Sequence, residues 1–598
     1  MSGSTFGRKS GKSRRDFLRD GIALGAVTFA APTILIACGT STSKSPSTSG
    51  IGKPTRKNTL YVGGFQWGPP TTFNPLAATG TWPATGNGAP NAMQHLYESL
   101  FAYNLLNGNL EPQVAKSLNW TSQATAVVTL RSGVHFSDGK PLTADDVVYT
   151  FELAKRHTEI SYANFWNYAD SVTKKDDHTI QFSLKTDSLN PGQLKSYLAG
   201  IYILPQHIYS GVESSASSLL TYVDMHPVGS GPYKVYDASQ ERVALIRDNN
   251  YWGKDQLGMP APAYIIHPIF KSNDDANLAF QNAELDISQT FTPQIWQEWQ
   301  DKKQPVGTWF KNAPYHVPGS IPMLWLNLHK AGLNNVKVRQ AIAYSIDFPT
   351  IVETAMSRYS STVKSSLIIP AGPEQKLFDS DNVTQYGWEF NAQKATQILD
   401  GMGAHKGSDG IYVLPDGTRL GPWQAQCPYG WTDWMTSLQV VSQSAKKVGI
   451  EINTYFPEAP QWSTAVQNGN FDIAMNGATG LSPASPWARF RDVLESRGLP
   501  PIGQTAFRNY GRFSDPAVGK LLDDAAAASG PQQASLLAQL DKVVMQNLPV
   551  IPLEYRPLEF YEYNATTWTG FPNSGHAVAP PMQGGAGIKI LYGIKVKS

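Results

Sequence analysis

Apolar and polar residues alternate singly across 178–184 (His-Thr-Ile-Gln-Phe-Ser-Leu), the period of a half-buried strand. Residues 124–130 (Ala-Thr-Ala-Val-Val-Thr-Leu) predict another strand. A different period begins after Leu142. Thr143 is followed three residues on by Asp146 and then by Val147, Val148, Tyr149 and Phe151, which predicts a helix N-capped by Thr143 with a shortened capping box. The paired acids Asp145 and Asp146 therefore have a structural explanation that needs no catalysis. The same spacing predicts helices at 336–347, 392–402, 432–448, 462–469, 516–528 and 532–547, interleaved with strands at 242–247, 324–328, 450–455, 471–475 and 550–555. Strands and helices mixed along one chain, with short turns rich in Gly and Pro, argue α/β or α+β lobes.

Length turns this pattern into more than one lobe. Single hydrophobic cores stop growing at roughly 250–300 residues, so a chain of 598 residues divides into two or three. Hydrophobic residues make up 41%, charged residues 16% and aromatics 11%, so the surface is polar through Ser, Thr, Asn and Gln more than through charge. A formal net charge of +2 provides no field for holding nucleic acid, and that class is set aside.

The first sixty residues carry their own chemistry. Ser13-Arg14-Arg15-Asp16-Phe17-Leu18 precedes an apolar run over 21–37 and resembles a twin-arginine export signal. The run closes on Leu35-Ile36-Ala37-Cys38-Gly39, which resembles a lipobox and implies a mature chain that starts at a lipidated Cys38. An uncleaved membrane anchor is the alternative, although the run is short for a span. Either reading places the rest of the chain outside the cytoplasm. Small polar residues follow over 39–57 and predict a flexible tether. Only Cys427 then remains in the body, where no internal disulfide can form, and it reads as a small buried filler.

Several segments resemble, in order, one large family: the solute-binding proteins of the oligopeptide, dipeptide, nickel and oligosaccharide branch, family 5, served by ABC importers. These are Phe73-Asn74-Pro75-Leu76, Leu96-Tyr97-Glu98-Ser99-Leu100-Phe101, Leu110-Glu111-Pro112, the long run 130–147 containing Phe136-Ser137-Asp138-Gly139-Lys140-Pro141-Leu142-Thr143, Gly229-Ser230-Gly231-Pro232-Tyr233, residues 334–347 and Asn470-Phe471-Asp472-Ile473-Ala474. Their physical content is mostly scaffold: a turn at Asp138-Gly139, punctuation at Gly231-Pro232, and a buried stripe of Val338, Ala341, Ile342 and Ile346. The resemblance implies an α/β, bilobal periplasmic-binding-protein type II-like (cluster C) fold with an inserted extra domain. By analogy 58–92, 188–312 and 541–598 form a first domain, 93–187 the inserted second and 313–540 a third, with ligand enclosed between the first and third.

What the resemblance implies about cargo is modified by a departure from it. Peptide-binding members carry an aspartate after the strand that here reads Phe471-Asp472-Ile473-Ala474, and it pairs with a peptide's ammonium group; this chain has no acid from Ile473 through Arg491. A buried ammonium without a partner costs several kcal/mol. The chain offers instead 16 Trp and 26 Tyr. Trp67, Trp82, Trp431, Trp434 and Trp487 are the candidate platforms, with Asn327, Asn476 and Thr479 as neutral hydrogen-bonding partners. Flat aromatics cover the C–H faces of sugars and amides satisfy the hydroxyls, so a cello- or xylo-type oligosaccharide is expected ahead of a peptide. Ordinary core packing is the alternative for each tryptophan, and Trp252 and Trp325 read as core.

An importer permease and ATPase are the implied partners, since no phosphate-binding loop occurs in the chain, and a monomer held to the outer membrane face by lipid is expected. No cofactor or metal is expected. The eleven His are dispersed without ligand spacing, and His95 and His135 read as structural. No catalytic motif appears, so the chain reads as a non-enzyme. A secreted glycoside hydrolase and a ligand-sensing receptor module are the alternatives.

Overall fold

The computed structural model describes residues 51–64, 69–77, 92–215, 218–478, 486–581 and 585–598. The export segment, Cys38, most of the tether, Trp67, Trp82 and Thr479 lie outside the described residues. Among those described, no helix is long and apolar enough to cross a membrane.

The alternating segments become the inner strands of a four-stranded antiparallel sheet. Thr125–Leu130 and Thr179–Leu184 pair at its centre and send Ala126, Val128, Leu130, Ile180, Phe182 and Leu184 to one face. The helix Ala144–Arg156 covers that face with Val147, Phe151 and Leu153. Its capping box forms as predicted: the Thr143 side chain accepts from the Asp145 N–H, and the Asp146 carboxylate accepts from the Thr143 N–H at 2.9 Å.

Two further sheets build the other lobes. The seven-stranded sheet runs Val306–Thr308, Glu562–Asn564, Ile287–Ser288, Thr59–Gly63, Tyr264–Pro268, Arg242–Arg247 and Tyr233–Ala238. The five-stranded sheet runs Ile452–Tyr455, Trp423–Gln426, Ile473–Asn476, Met323–Leu326 and Val550–Pro552. Its face is covered by Val336–Ser345, whose stripe Val338, Ala341, Ile342 and Ile346 is fully buried, and by Thr432–Val448. The chain therefore crosses between these lobes over 309–322 and again over 553–561. The crossings touch where Ser320 and Arg556 bridge antiparallel, with the Arg556 N–H donating to the Ser320 carbonyl at 3.0 Å.

Two expected boundaries move. Val550–Pro552 pairs with Met323, Leu324 and Trp325, so the last stretch of the five-stranded lobe extends past residue 540. Helices Pro191–Gly200 and Gln206–Ser215 bury Leu194, Leu198 and Tyr209 in the core of the four-stranded lobe, past residue 187. In each case an apolar segment completes a surface that the sheet would otherwise leave open. Glycine is required at the Gly229-Ser230-Gly231 punctuation, because a Cβ on Gly229 or Gly231 would lie 2.0 Å or 2.4 Å from the carbonyl oxygens of Leu96 and His95.

Candidate functional site

Parallel pairing decides which loops share one end of the five-stranded lobe. Trp423–Gln426 runs parallel to both Ile452–Tyr455 and Ile473–Asn476, so the segments following all three strands leave from one edge, where open α/β sheets bind ligands. On the first of these segments, Gly430 has φ +85°, and the turn delivers Trp431 to the start of Thr432–Val448. On the second, Glu458 leads into Ala459–Asn468, which carries Trp462.

Three tryptophans meet here. Trp431 and Trp434 lie edge to face with centroids 4.8 Å apart, and Trp462 is 6.0 Å from the first and 6.3 Å from the second. Trp434 and Trp462 form the buried base, whereas Trp431 is 37% exposed and neighbouring Tyr429 is 63% exposed. Neither the Trp434 nor the Trp462 indole N–H has a hydrogen-bond acceptor, and the buried Gln426 amide nitrogen at the strand end is also unpartnered. Buried donors without partners are uncommon, and two of them belong to this cluster. The Thr432 hydroxyl accepts from Asn273 at 3.2 Å, at the start of the helix Asn273–Gln281 that packs on the seven-stranded sheet. The Trp431 end of the long helix thus faces the other lobe.

The buried acids at this rim are already committed, while Glu458 on the second segment is exposed. Asp433 is buried and accepts from Arg556 at 2.9 Å. Glu554 accepts from Ser437 at 2.6 Å, and burial together with the neighbouring Asp433 charge pushes its carboxyl up to about 8, so it is protonated at neutral pH. At the opposite end of the strand Ile473–Asn476, Asp472 pairs with Lys330 at 2.8 Å and accepts from the Gln424 N–H. Cys427, directly after the strand, is fully buried with its thiol pushed up by burial, the inert filler expected.

Only part of the predicted site gathers. Trp431 and Trp434 come together, joined by Trp462, which carries no local sequence signal because only strand order brings it in. Asn476 ends its strand half-buried, and its carbonyl accepts from the Trp325 indole at 3.2 Å.

Asn327 is a correction. It lies beyond Leu326, which pairs with Ile473, whereas Asn476 pairs with Met323, so the two asparagines occupy opposite ends of the strand pair, about 14 Å apart by strand rise. Its amide donates to the Gly469 and Phe471 carbonyls, and its side-chain oxygen accepts from the His329 N–H, which leaves nothing for a ligand. Asn327→Ala is expected to destabilise the fold by about 2 kcal/mol, read by urea denaturation, because two buried carbonyls lose their donor.

Trp487 is likewise structural: it is buried, its indole donates to the Leu522 carbonyl at 2.8 Å, and it packs edge-on against Tyr168 of the four-stranded lobe. Arg491, one turn on, donates to the Tyr168 hydroxyl at 3.0 Å and fastens the same two lobes. Trp252 and Trp325 are core, as their scaffold settings imply. Among the described residues no group of His, Cys, Asp and Glu could hold a metal ion.

Sheet-based lobes joined by paired crossings, with an aromatic rim turned toward the opposing lobe, define a bilobal solute-binding architecture. The sequence model of bacterial extracellular solute-binding proteins, family 5 (its middle portion), matches residues 109–496, and the chain belongs to that family. A periplasmic oligopeptide-binding protein of Thermotoga maritima, solved with mannohexaose bound, is 32% identical with a TM-score of 0.80, over 91% of this chain and 100% of that one. The oligopeptide-binding protein AppA of Bacillus subtilis is 24% identical over 550 residues, 89% of this chain and 94% of its own. Its structure in complex with a nonapeptide shares the fold at a TM-score of 0.68 and 21% identity, over 91% of this chain and 100% of that one.

Proposed function

We propose that the protein is the substrate-binding component of an ABC importer, that it captures an uncharged oligosaccharide against the Trp431–Trp434–Trp462 rim, and that it releases the cargo unaltered. The observation that carries this reading is the rim itself. The partly exposed Trp431 indole offers area for a sugar's C–H surface, and the exposed Tyr429 beside it in the chain carries a hydroxyl for hydrogen bonding. The buried carboxyls at this edge are paired with Arg556 or protonated, so a peptide ammonium finds no buried counter-charge there. The mannohexaose bound to the Thermotoga maritima relative supports the same class of cargo. Anchoring through a lipidated Cys38 after twin-arginine export is part of the proposal. Peptide capture is the second reading, favoured by the peptide-binding names of relatives such as AppA.

The test is calorimetric titration of the purified protein with mannohexaose, cello- and xylo-oligosaccharides beside penta- and nonapeptides. Oligosaccharide binding without peptide binding is expected; the reverse result overturns the sugar assignment. Trp431→Ala is expected to weaken sugar binding about tenfold or more while leaving the melting temperature nearly unchanged, because the ring is partly exposed. Recovery of chain-shortened sugar after incubation would identify a hydrolase instead.

A further inference from the structure

Four asparagines in the chain precede a glycine: Asn87, Asn107, Asn468 and Asn476. In such a pair the glycine's backbone nitrogen can attack the carbonyl carbon of the asparagine side chain, because no Cβ shields it and the backbone turns freely. Hydrogen bonds on either group hold the two apart. Asn87 lies outside the described residues. At Asn107 the side-chain oxygen accepts from the Asn109 N–H at 2.9 Å, and the Gly108 N–H donates to the Asn104 carbonyl at 2.8 Å. At Asn468 the side-chain oxygen accepts from the Thr505 hydroxyl at 3.0 Å, and the Gly469 N–H donates to the Val466 carbonyl at 3.1 Å, closing its helix.

Asn476 differs on both counts. It is half-buried and, among the described residues, neither its side-chain amide nor the Gly477 N–H takes part in a hydrogen bond. Gly477 also stands in open space: beyond its chain neighbours, no described atom lies within 4 Å of the position a Cβ would take. The peptide group that joins the pair is polarised. The Trp325 indole donates at 3.2 Å to the Asn476 carbonyl, which belongs to the same peptide group as the Gly477 N–H. Drawing electrons toward that oxygen makes the nitrogen easier to deprotonate. Asn476 ends the strand Ile473–Asn476, on the edge from which the Trp431 segment also leaves. Residues 473–486 carry no charged side chain, so a charge created there is not offset within its own segment.

From this arrangement we infer that Asn476-Gly477 is a self-modification site, which converts a neutral amide at the cargo edge into a carboxylate. The Gly477 nitrogen gives its proton to a solvent base and attacks the Asn476 Cγ, and the new C–N bond closes a cyclic imide. The Cγ–Nδ2 bond breaks as the departing nitrogen takes up a proton and leaves as ammonia. Water then opens the imide at either carbonyl, leaving aspartate or a chain-lengthened isoaspartate. No oxidant or cofactor takes part. The product has lost its N–H donors and must shed hydration to be enclosed, so an uncharged cargo binds it less well. That consequence, unlike the modification itself, rests on the sugar reading of the tryptophan rim.

Purified full-length protein is incubated in mildly alkaline buffer, and conversion at Asn107, Asn468 and Asn476 is followed by mass spectrometry with fragment spectra that locate each site. Asn476 is expected to exchange amide for carboxyl about tenfold faster than the other two, each of which must first break two hydrogen bonds. In urea the three rates should converge. Gly477→Ala, whose Cβ has room, should slow the change at 476 by about tenfold or more without lowering the melting temperature. Calorimetric titration with mannohexaose then compares fresh and incubated protein. Affinity should fall about tenfold on complete conversion, Asn476→Asp should reproduce the loss, and incubated Gly477→Ala should retain its starting affinity. Equal rates at the three asparagines of the folded protein overturn the modification site. Complete conversion with unchanged mannohexaose affinity overturns its consequence. If fresh protein binds no oligosaccharide while Asn476 is still selectively converted, the proposed cargo fails and the modification site stands.

Discussion

Raising the pH from about 5 to about 9 should cost the folded body at least about 3 kcal/mol of stability. Four buried carboxyls drive the loss. Burial pushes Glu98 and Asp541 up to about 7, and Glu554 and Glu562 up to about 8. Each is held by donors that only partly offset desolvation: Glu98 by Tyr251 and Trp252, Asp541 by Ser366 and the Leu367 N–H, Glu554 by Ser437, Glu562 by Thr292 and Tyr359. An unfolded chain sheds these protons near pH 4 to 4.5, whereas the folded chain retains them until about 7 or 8. Their stabilising contribution is therefore complete below the unfolded value and disappears as pH rises through the folded one, at about 1.4 kcal/mol per group per pH unit. Glu213 works in the other direction: hydrogen bonding from Arg156 holds it below the usual range, and its contribution is lost in acid. Maximum stability is thus expected near pH 5. Urea denaturation at about pH 5, 7 and 9 reads the effect, and Glu562→Gln or Glu554→Gln should flatten it. A wild-type curve that is level or rises toward pH 9 refutes it.

Scaffold was far more legible in the sequence than site. The capping box at Thr143, the alternation over 178–184 and the apolar stripe of Val336–Ser345 are short-range signals, written within a dozen residues, and each appears where its spacing puts it. The helix Thr432–Val448 matches its expected bounds, and its end is fixed by Gly449 at φ +92°. The site obeys other rules. Trp431 and Trp434 share one turn and could be read as a pair, but Trp462 joins them only because two strands pair in parallel. Asn327 was misassigned because an asparagine that caps a neighbouring loop and one that faces a ligand are identical as letters. Only the carbonyls of Gly469 and Phe471 tell them apart. Buried acids near the rim are already committed, Asp433 to Arg556 and Glu554 to Ser437.

Those commitments make Arg556→Ala the most damaging single change expected in the crossing segments, at about 3–5 kcal/mol. Arg556 sits where the second crossing bridges Ser320, its guanidinium lies 4.4 Å over the Phe560 ring, and its Nε donates to Asp433. Asp433 is 2% exposed, so deleting the arginine strands a buried carboxylate beside Glu554, which can only relieve the repulsion by keeping its own proton. Asp433→Asn alone should cost less, since the arginine keeps some access to water, and Asp433→Asn with Arg556→Met should recover most of the loss. The double-mutant cycle in urea separates the pair's coupling from packing against Phe560. A consequence for binding follows from position: Asp433 stands between Trp431 and Trp434, so the ion pair is what fastens the aromatic rim to the segment joining the lobes. The double variant should therefore fold stably yet bind cargo more weakly than wild type, with faster release. Wild-type affinity in that variant would mean that the rim is positioned by its own helix and owes nothing to the crossing.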